Sequence, residues 1–177
     1  IYQDLTPLFN LDMEGLYYRG LLDNSKELET QYQLKPTIYI CAGVMVMNLE
    51  LLRKDNAEEK MMKFIEEHKY IRSHDQTTLN YISQGKLDSI PPKYGLYTYY
   101  GEGSVKSFHR LFGPNYKKDS LEDLLEAHRN PIIPHFAFYK PWKLKPTIAN
   151  LQSASSLESH RSIWWEYAKL TDYFEEI

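Results

Sequence analysis

The spacing of hydrophobic residues changes period several times along this chain. Residues 38–47, IYICAGVMVM, form its longest apolar run. A continuous run of that kind predicts a strand covered on both faces, as in α/β sheets. Gly43, in its middle, points to a bulge or to close approach by another backbone or a ligand. Residues 16–22, LYYRGLL, predict a second strand, closed by the turn formers Asp23, Asn24 and Ser25. NPIIPHFAF, residues 130–138, predicts the last strand, and KYGLYTYYGEGS, residues 93–104, reads as strand plus loop.

Elsewhere the spacing is helical. Residues 4–9 read as a short helical turn, and Asn48 can cap LELLRK. Asp55 and Glu58 have capping-box spacing before KMMKFIEEH, where Met61, Phe64, Ile65 and His68 share one face. Ser73 and Gln76 repeat that spacing at the head of HDQTTLNYISQ, with Leu79 and Ile82 as the buried stripe and Gly85 at C′. Residues 120–129 predict a short helix with an acidic first turn. A polar, Ser-rich linker is expected over 143–159. A last helix is expected over 162–176, with Ile163, Tyr167, Leu170 and Phe174 on one stripe. Strands alternate with helices, so the class is α/β. No internal repeat occurs.

Composition narrows the function. The formal net charge is -3, so no basic field favours nucleic acid, although Lys140, Lys143 and Lys145 cluster locally. The 15 Tyr, 7 Phe and 3 Trp suit sites that stack flat ligands or the apolar faces of sugars, and also a plain aromatic core, which is the commoner cause. One cysteine, Cys41, excludes an internal disulfide and favours a reducing, cytoplasmic setting. No apolar run approaches the ~20 residues that span a bilayer. The chain begins at Ile1 without an initiator Met, which suggests the interior of a longer protein.

Three stretches could carry chemistry, and each has a plainer account. His74, Asp75 and Gln76 open a helix, where carboxylates are favoured by the dipole, yet capping explains the same residues. Cys41 needs a base to act as a nucleophile, none lies nearby in sequence, and a buried small hydrophobe is the simpler account. His135 stands near the carboxyl end of a predicted strand, the edge where open α/β sheets hold ligands. A neutral imidazole suits a divalent metal, and Lys140 suits a phosphate carried by it. The same pair also fits an ordinary strand end.

Together these stretches occur in a fixed order: CAGVMVMNLELLRK, HDQTTLN, IPPKY, IIPHFAFYKPWK and WWEYAKLTDYF. In this the chain resembles glycosyltransferase family 8, which includes bacterial lipopolysaccharide galactosyl- and glucosyltransferases and glycogenin. The resemblance runs from Asp4 and Leu5 to the final aromatic helix. It implies a GT-A type, Rossmann-like mixed sheet flanked by helices. Residues 1–150 would be the C-terminal part of a catalytic domain, and 151–177 a linker and aromatic helix.

The resemblance also implies a reaction. A retaining enzyme would move a hexose from a UDP-sugar to a saccharide or lipid-linked saccharide acceptor, with Mn²⁺ or Mg²⁺ on the donor's diphosphate. His135 matches the family's third metal ligand, and Lys140 its basic residue on the donor phosphates. Ala42 and Gly43 match the small pair beside the donor sugar. Asp75 matches a residue that binds sugar hydroxyls. Gln76 matches the residue beneath the anomeric carbon, and Asn80 would support their helix.

The family's Asp-x-Asp precedes a D-L-x-x-L-F segment that appears here as QDLTPLF, residues 3–9. The metal-binding aspartates, and with them the N-terminal nucleotide-binding half, are therefore expected upstream of Ile1. The polypeptide by itself is then expected to be inactive. Three positions depart from the family: Cys41 replaces an Asn, the spacer from His135 to Lys140 is one residue shorter with Phe138 for Gly, and a carboxylate expected near residue 20 is absent at Gly20 or displaced to Asp23. A non-catalytic carbohydrate-binding or interaction module derived from such an enzyme is the alternative. If the product is lipopolysaccharide, the last helix could touch the inner face of the membrane, but its acidic residues disfavour anionic lipid and packing on the domain is the preferred expectation.

Overall fold

The computed structural model describes residues 1–23, 26–36, 38–95, 105–106, 120–136, 140–142, 154–172 and 174. These fall into two compact units. One is built from Gln3–Pro92, the other from Ile1–Tyr2 and the described residues from Lys93 onward.

In the first unit the helical turn α1 (Thr6–Phe9) precedes strand β1 (Tyr18–Leu22), helix α2 (Lys26–Gln31) and strand β2 (Ile40–Met47). Helices α3 (Leu49–Lys54), α4 (Ala57–Glu67) and α5 (His74–Ile82) follow, then strand β3 (Leu87–Ser89). The sheet is mixed, in the order β2-β1-β3, with β2 antiparallel and β3 parallel to β1. Tyr17, Tyr18, Ile40 and Leu87 form its core, with Leu51, Met61 and Leu79 packed against them.

The β1–β2 ladder contains the bulge expected at Gly43. Gly20 pairs with Met45, but the next residue, Leu21, pairs with Cys41. Ala42, Gly43 and Val44 therefore bulge from the ladder. Gly20 is needed at this point: a Cβ there would lie 2.9 Å from Ile40 Cδ1 and 3.2 Å from the Cys41 carbonyl oxygen. Beside it, Arg19 bridges β1 to β3 through Asp88 at 2.6 Å and donates to the Asp12 carbonyl at 2.7 Å.

Several expectations are corrected. Only Ile40 and Cys41 of β2 are buried, so the apolar run is not covered on both faces. Asn48 caps α3 as expected, accepting from Leu51 N at 3.0 Å. Asp55 forms no capping box, however. Asn56 is the α4 N-cap, in the left-handed region at φ +49°, while Asp55 accepts from Tyr17 Oη and pairs with Lys86. Ser73 is the N-cap residue of α5, but its side chain forms no capping box; its hydroxyl donates to Glu27 of α2 at 2.6 Å. The buried stripe of α5 is polar, made of Thr77, Thr78 and Asn80, while Leu79 and Ile82 are half-buried. In α4, Phe64 is buried and Ile65 is exposed, because Phe64 stacks with Tyr32, His68 and Tyr81. Gly85 takes φ +78°, but α5 has already ended at its C-cap, Ser83.

In the second unit, a short 3₁₀ turn (Pro92–Tyr94) leads from the first, and helix α6 (Leu121–Arg129) carries a complete Ser120–Asp123 capping box. Leu124, Leu125 and Ala127 of α6 pack on Val105. Residues 131–136 hold no continuous strand; His135 alone makes a bridge. Ile132 donates to the Lys93 carbonyl at 2.7 Å, and Pro131 and Pro134 remove donors that a ladder would need. The final helix, α7, runs Ala154–Ala168, starting eight residues before the expected point and ending sooner. Tyr167 is exposed rather than packed, and Leu170 lies beyond the helix and is exposed as well. Most of 93–104, Phe138, Lys143 and Lys145 lie outside the described residues.

Candidate active site

Helix α5 lies along the edge of β2 that has no neighbouring strand among the described residues, and the fit has a simple metric. Residues four apart on a helix advance about 6 Å, and residues two apart on a strand about 6.7 Å. Side chains one helical turn apart can therefore meet alternate backbone groups of a strand edge. Asn80 and Gln76 do this. Asn80 Oδ1 accepts from Ile40 N at 2.8 Å, and its Nδ2 donates to the Ile40 carbonyl at 2.7 Å. Gln76 Oε1 accepts from Ala42 N at 3.1 Å, at the start of the bulge. The two carboxamides stand where a further strand would stand, and they satisfy backbone groups that would otherwise be costly to bury.

The Gln76 carboxamide has two more partners. Its Nε2 donates to Asp23 Oδ2 at 3.1 Å and to the Tyr39 hydroxyl at 3.4 Å. Its backbone carbonyl accepts from Asn80 Nδ2 at 2.8 Å. Burial raises the Tyr39 hydroxyl pKa above its ordinary value; hydrogen bonds from Gln76 and Thr77 oppose this, and the charges of Glu27 and Asp23 add to it. The phenol is thus neutral over the physiological range. Asp75 is exposed at the first turn of α5, and its Oδ1 accepts from Gln76 N at 2.9 Å. Cys41 is buried, and its sulfur accepts from Gly43 N at 3.3 Å, which braces the bulge.

The structure therefore brings Ala42, Gly43, Gln76 and Asn80 together, with Asp75 one residue away. Asp23 joins them through the Gln76 amide. Sequence reasoning missed Tyr39. It stands immediately ahead of β2, and no motif in the sequence marks it. Glu27, which holds Ser73 at the head of α5, was also missed, because its partner lies 46 positions away.

His135 and Lys140 belong to the second unit. Lys140 Nζ donates to the Phe136 carbonyl at 3.1 Å, so the shortened spacer brings the ammonium back to the residue after His135. Pro141 is held by α7, its carbonyl accepting from Arg161 Nε at 2.9 Å and Trp165 Nε1 at 3.1 Å. Trp142 stacks on Trp164, with ring centroids 5.4 Å apart. The Lys-Pro-Trp motif is thus anchored by the aromatic helix. Among the described residues no group of three His, Cys, Asp or Glu side chains is placed to hold a metal ion. His135 is a single donor, short of the ligands that Mn²⁺ or Mg²⁺ needs.

The glycosyl transferase family 8 model matches residues 1–145. The chain belongs to glycosyl transferase family 8. General stress protein A of Bacillus subtilis (strain 168) is 28% identical over 149 residues, which cover 80% of this chain and 49% of that protein. The apo structure of the bifunctional glycosyltransferase WbbM aligns with a TM-score of 0.66 at 17% identity, over 99% of this chain and 32% of that one. The galactosyltransferase LgtC, solved with donor and acceptor sugar analogs, aligns with a TM-score of 0.57 at 18% identity, over 90% of this chain and 57% of that one. The chain spans about half the length of the curated relative and less than two thirds of either solved chain. Its mixed α/β fold matches that of these GT-A glycosyltransferase structures.

Proposed function

We propose that this chain carries the donor-sugar part of a retaining hexosyltransferase that uses a UDP-hexose and a saccharide acceptor. The observation that carries the reading is the fixed Gln76 carboxamide at the mouth of the Ala42–Gly43 bulge. The bulge offers a close approach for a sugar ring, since neither residue has a side chain beyond Cβ. Asp75, exposed beside it, is suited to accept hydrogen bonds from sugar hydroxyls. Gln76 presents a neutral, oriented amide dipole. Such a dipole stabilises positive charge developing at the anomeric carbon without the reorganisation water would require. The bond from that carbon to the diphosphate breaks, and the acceptor oxygen bonds to it on the same face. The acceptor's proton leaves with the departing phosphate oxygen.

Lys140 matches by its motif a basic residue for donor phosphates, where its positive charge would offset negative charge on a departing diphosphate. We assign Mn²⁺ or Mg²⁺ as the metal, with His135 as one ligand and the others drawn from outside the described residues. Held there, the ion would supply Lewis acidity towards the diphosphate. Lipopolysaccharide or another surface polysaccharide is the proposed product, made in the cytoplasm or at the inner face of the membrane. Tyr167 and Leu170, 63% and 80% exposed, leave an apolar surface for a lipid-linked acceptor. No described helix is long and apolar enough to cross a membrane.

The test is kinetic, on the intact protein. Mn²⁺-dependent turnover of UDP-hexoses should fall at least 100-fold in Gln76→Ala, a loss on the scale of removing one oriented electrostatic group. It should also fall, with weakened Mn²⁺ dependence, in His135→Ala. Unchanged turnover in Gln76→Ala contradicts the reading of the bulge as the sugar site.

A further inference from the structure

We propose that Asp23 and Tyr39 are positioning residues for transfer, because they fix which end of the Gln76 carboxamide faces the bulge. The proposal rests on the reading of Gln76 given above. A glutamine amide can flip, exchanging its oxygen and nitrogen at little cost where the surroundings are indifferent. Here they are not. Oε1 meets a backbone donor, Ala42 N, while Nε2 meets the Asp23 carboxylate and the Tyr39 hydroxyl oxygen. A flipped amide would set two donors against each other at Ala42 and two acceptors against each other at Asp23.

The partners are themselves tied together. Asp23 N donates to the Tyr39 carbonyl at 2.9 Å, joining the end of β1 to the residue ahead of β2. Tyr39 is 2% exposed and cannot swing away. The carboxylate also acts through its charge. An amide whose NH₂ donates to an anion shifts electron density towards its oxygen, as chained hydrogen bonds do in a low-dielectric site. Oε1 then presents both a fixed direction and an enhanced partial negative charge.

This orders the variants. Asp23→Ala removes acceptor and charge, Asp23→Asn retains an acceptor without the charge, and Tyr39→Phe removes only the hydroxyl. The experiment measures initial rates of the intact protein with UDP-glucose and UDP-galactose, for each variant alone and combined with Gln76→Ala. Asp23→Ala and Tyr39→Phe should each lower kcat about tenfold, in line with a lost hydrogen bond, and leave KM nearly unchanged. Asp23→Asn should recover part of the loss. Neither substitution should lower kcat further once Gln76 is Ala, because both act through that side chain. Full additivity on the Gln76→Ala background overturns the proposal. So does wild-type kcat in Asp23→Ala and Tyr39→Phe when Gln76→Ala is impaired, and that outcome leaves the reading of Gln76 standing. Wild-type kcat in Gln76→Ala removes that reading and the positioning role with it.

A second readout does not depend on turnover. The Gln76 side-chain NH₂ resonances in a ¹⁵N-resolved spectrum should be displaced from those of exposed glutamines and should move in Tyr39→Phe. This variant keeps the ring and carries the test if Asp23→Ala fails to fold. Resonances typical of exposed glutamine, unchanged in Tyr39→Phe, overturn the proposal.

Discussion

The Asn80 carboxamide closes both outward backbone hydrogen bonds of Ile40, accepting from its N–H at 2.8 Å and donating to its carbonyl at 2.7 Å. A helix side chain thereby does the work of a neighbouring strand. Asn80 is fully buried, so Asn80→Ala leaves a buried donor and a buried acceptor without partners. The expected cost is about 3 kcal/mol, read as a lower denaturant midpoint at unchanged slope. Because the same side chain holds the Gln76 carbonyl at 2.8 Å, turnover should fall as well.

Gly20→Ala tests the bulge. The added methyl would meet Ile40 Cδ1 at 2.9 Å, and the Cys41 carbonyl oxygen at 3.2 Å cannot rotate aside. Destabilisation of about 1–3 kcal/mol is expected for such overpacking. The displaced strand should also disturb Ala42 and lower kcat. Unfolding and initial rates measured on one sample check both effects.

The pair of Lys86 and Asp55, joined by the Tyr17 hydroxyl, sets a pH window. Its hydrogen bond to Lys86 lowers the Asp55 pKa below 3.8, so that contribution is present above 3.8 and lost as pH falls through the folded value. Its hydrogen bond to Asp55 raises the Lys86 pKa above 10.5, so that contribution is present below 10.5 and lost as pH rises through the folded value. The melting temperature of Asp55→Asn should fall below wild type near neutrality, and the gap should close at both extremes. A gap independent of pH contradicts this assignment.

Trp165→Phe removes one of the two donors to the Pro141 carbonyl and leaves Arg161 in place. A loss of about 1 kcal/mol is expected. The substitution should also raise KM for the donor more than it lowers kcat, because it loosens the segment carrying Lys140. Donor titrations of the variant check this split.

Most of the site was legible as a motif, and less of it as geometry. The bulge could be read from Gly43 inside an apolar run, and helix α6 from its acidic first turn. The two failed capping boxes share a cause: capping spacing is short-range, whereas Asp55, Ser73 and Gln76 found stronger partners far along the chain. Lys86 took Asp55, Glu27 took Ser73, and Ala42, Asp23 and Tyr39 took Gln76. The stripe of α5 was misassigned for the same reason. That helix packs on a strand edge, where carboxamides and hydroxyls are worth more than leucine. The expected last strand fails at its prolines, whose missing donors mattered more than the β-branched pair Ile132 and Ile133.

The central claim is that residues around the Ala42–Gly43 bulge hold the donor sugar for transfer with retention. The direct measurement is the anomeric configuration of the product, followed by ¹H NMR as the intact protein consumes a panel of α-linked UDP-hexoses with Mn²⁺. The account predicts an α-linked product from at least one donor, formed much more slowly by Gln76→Ala. A β-linked product, or an α-linked product formed equally fast by Gln76→Ala, would contradict it.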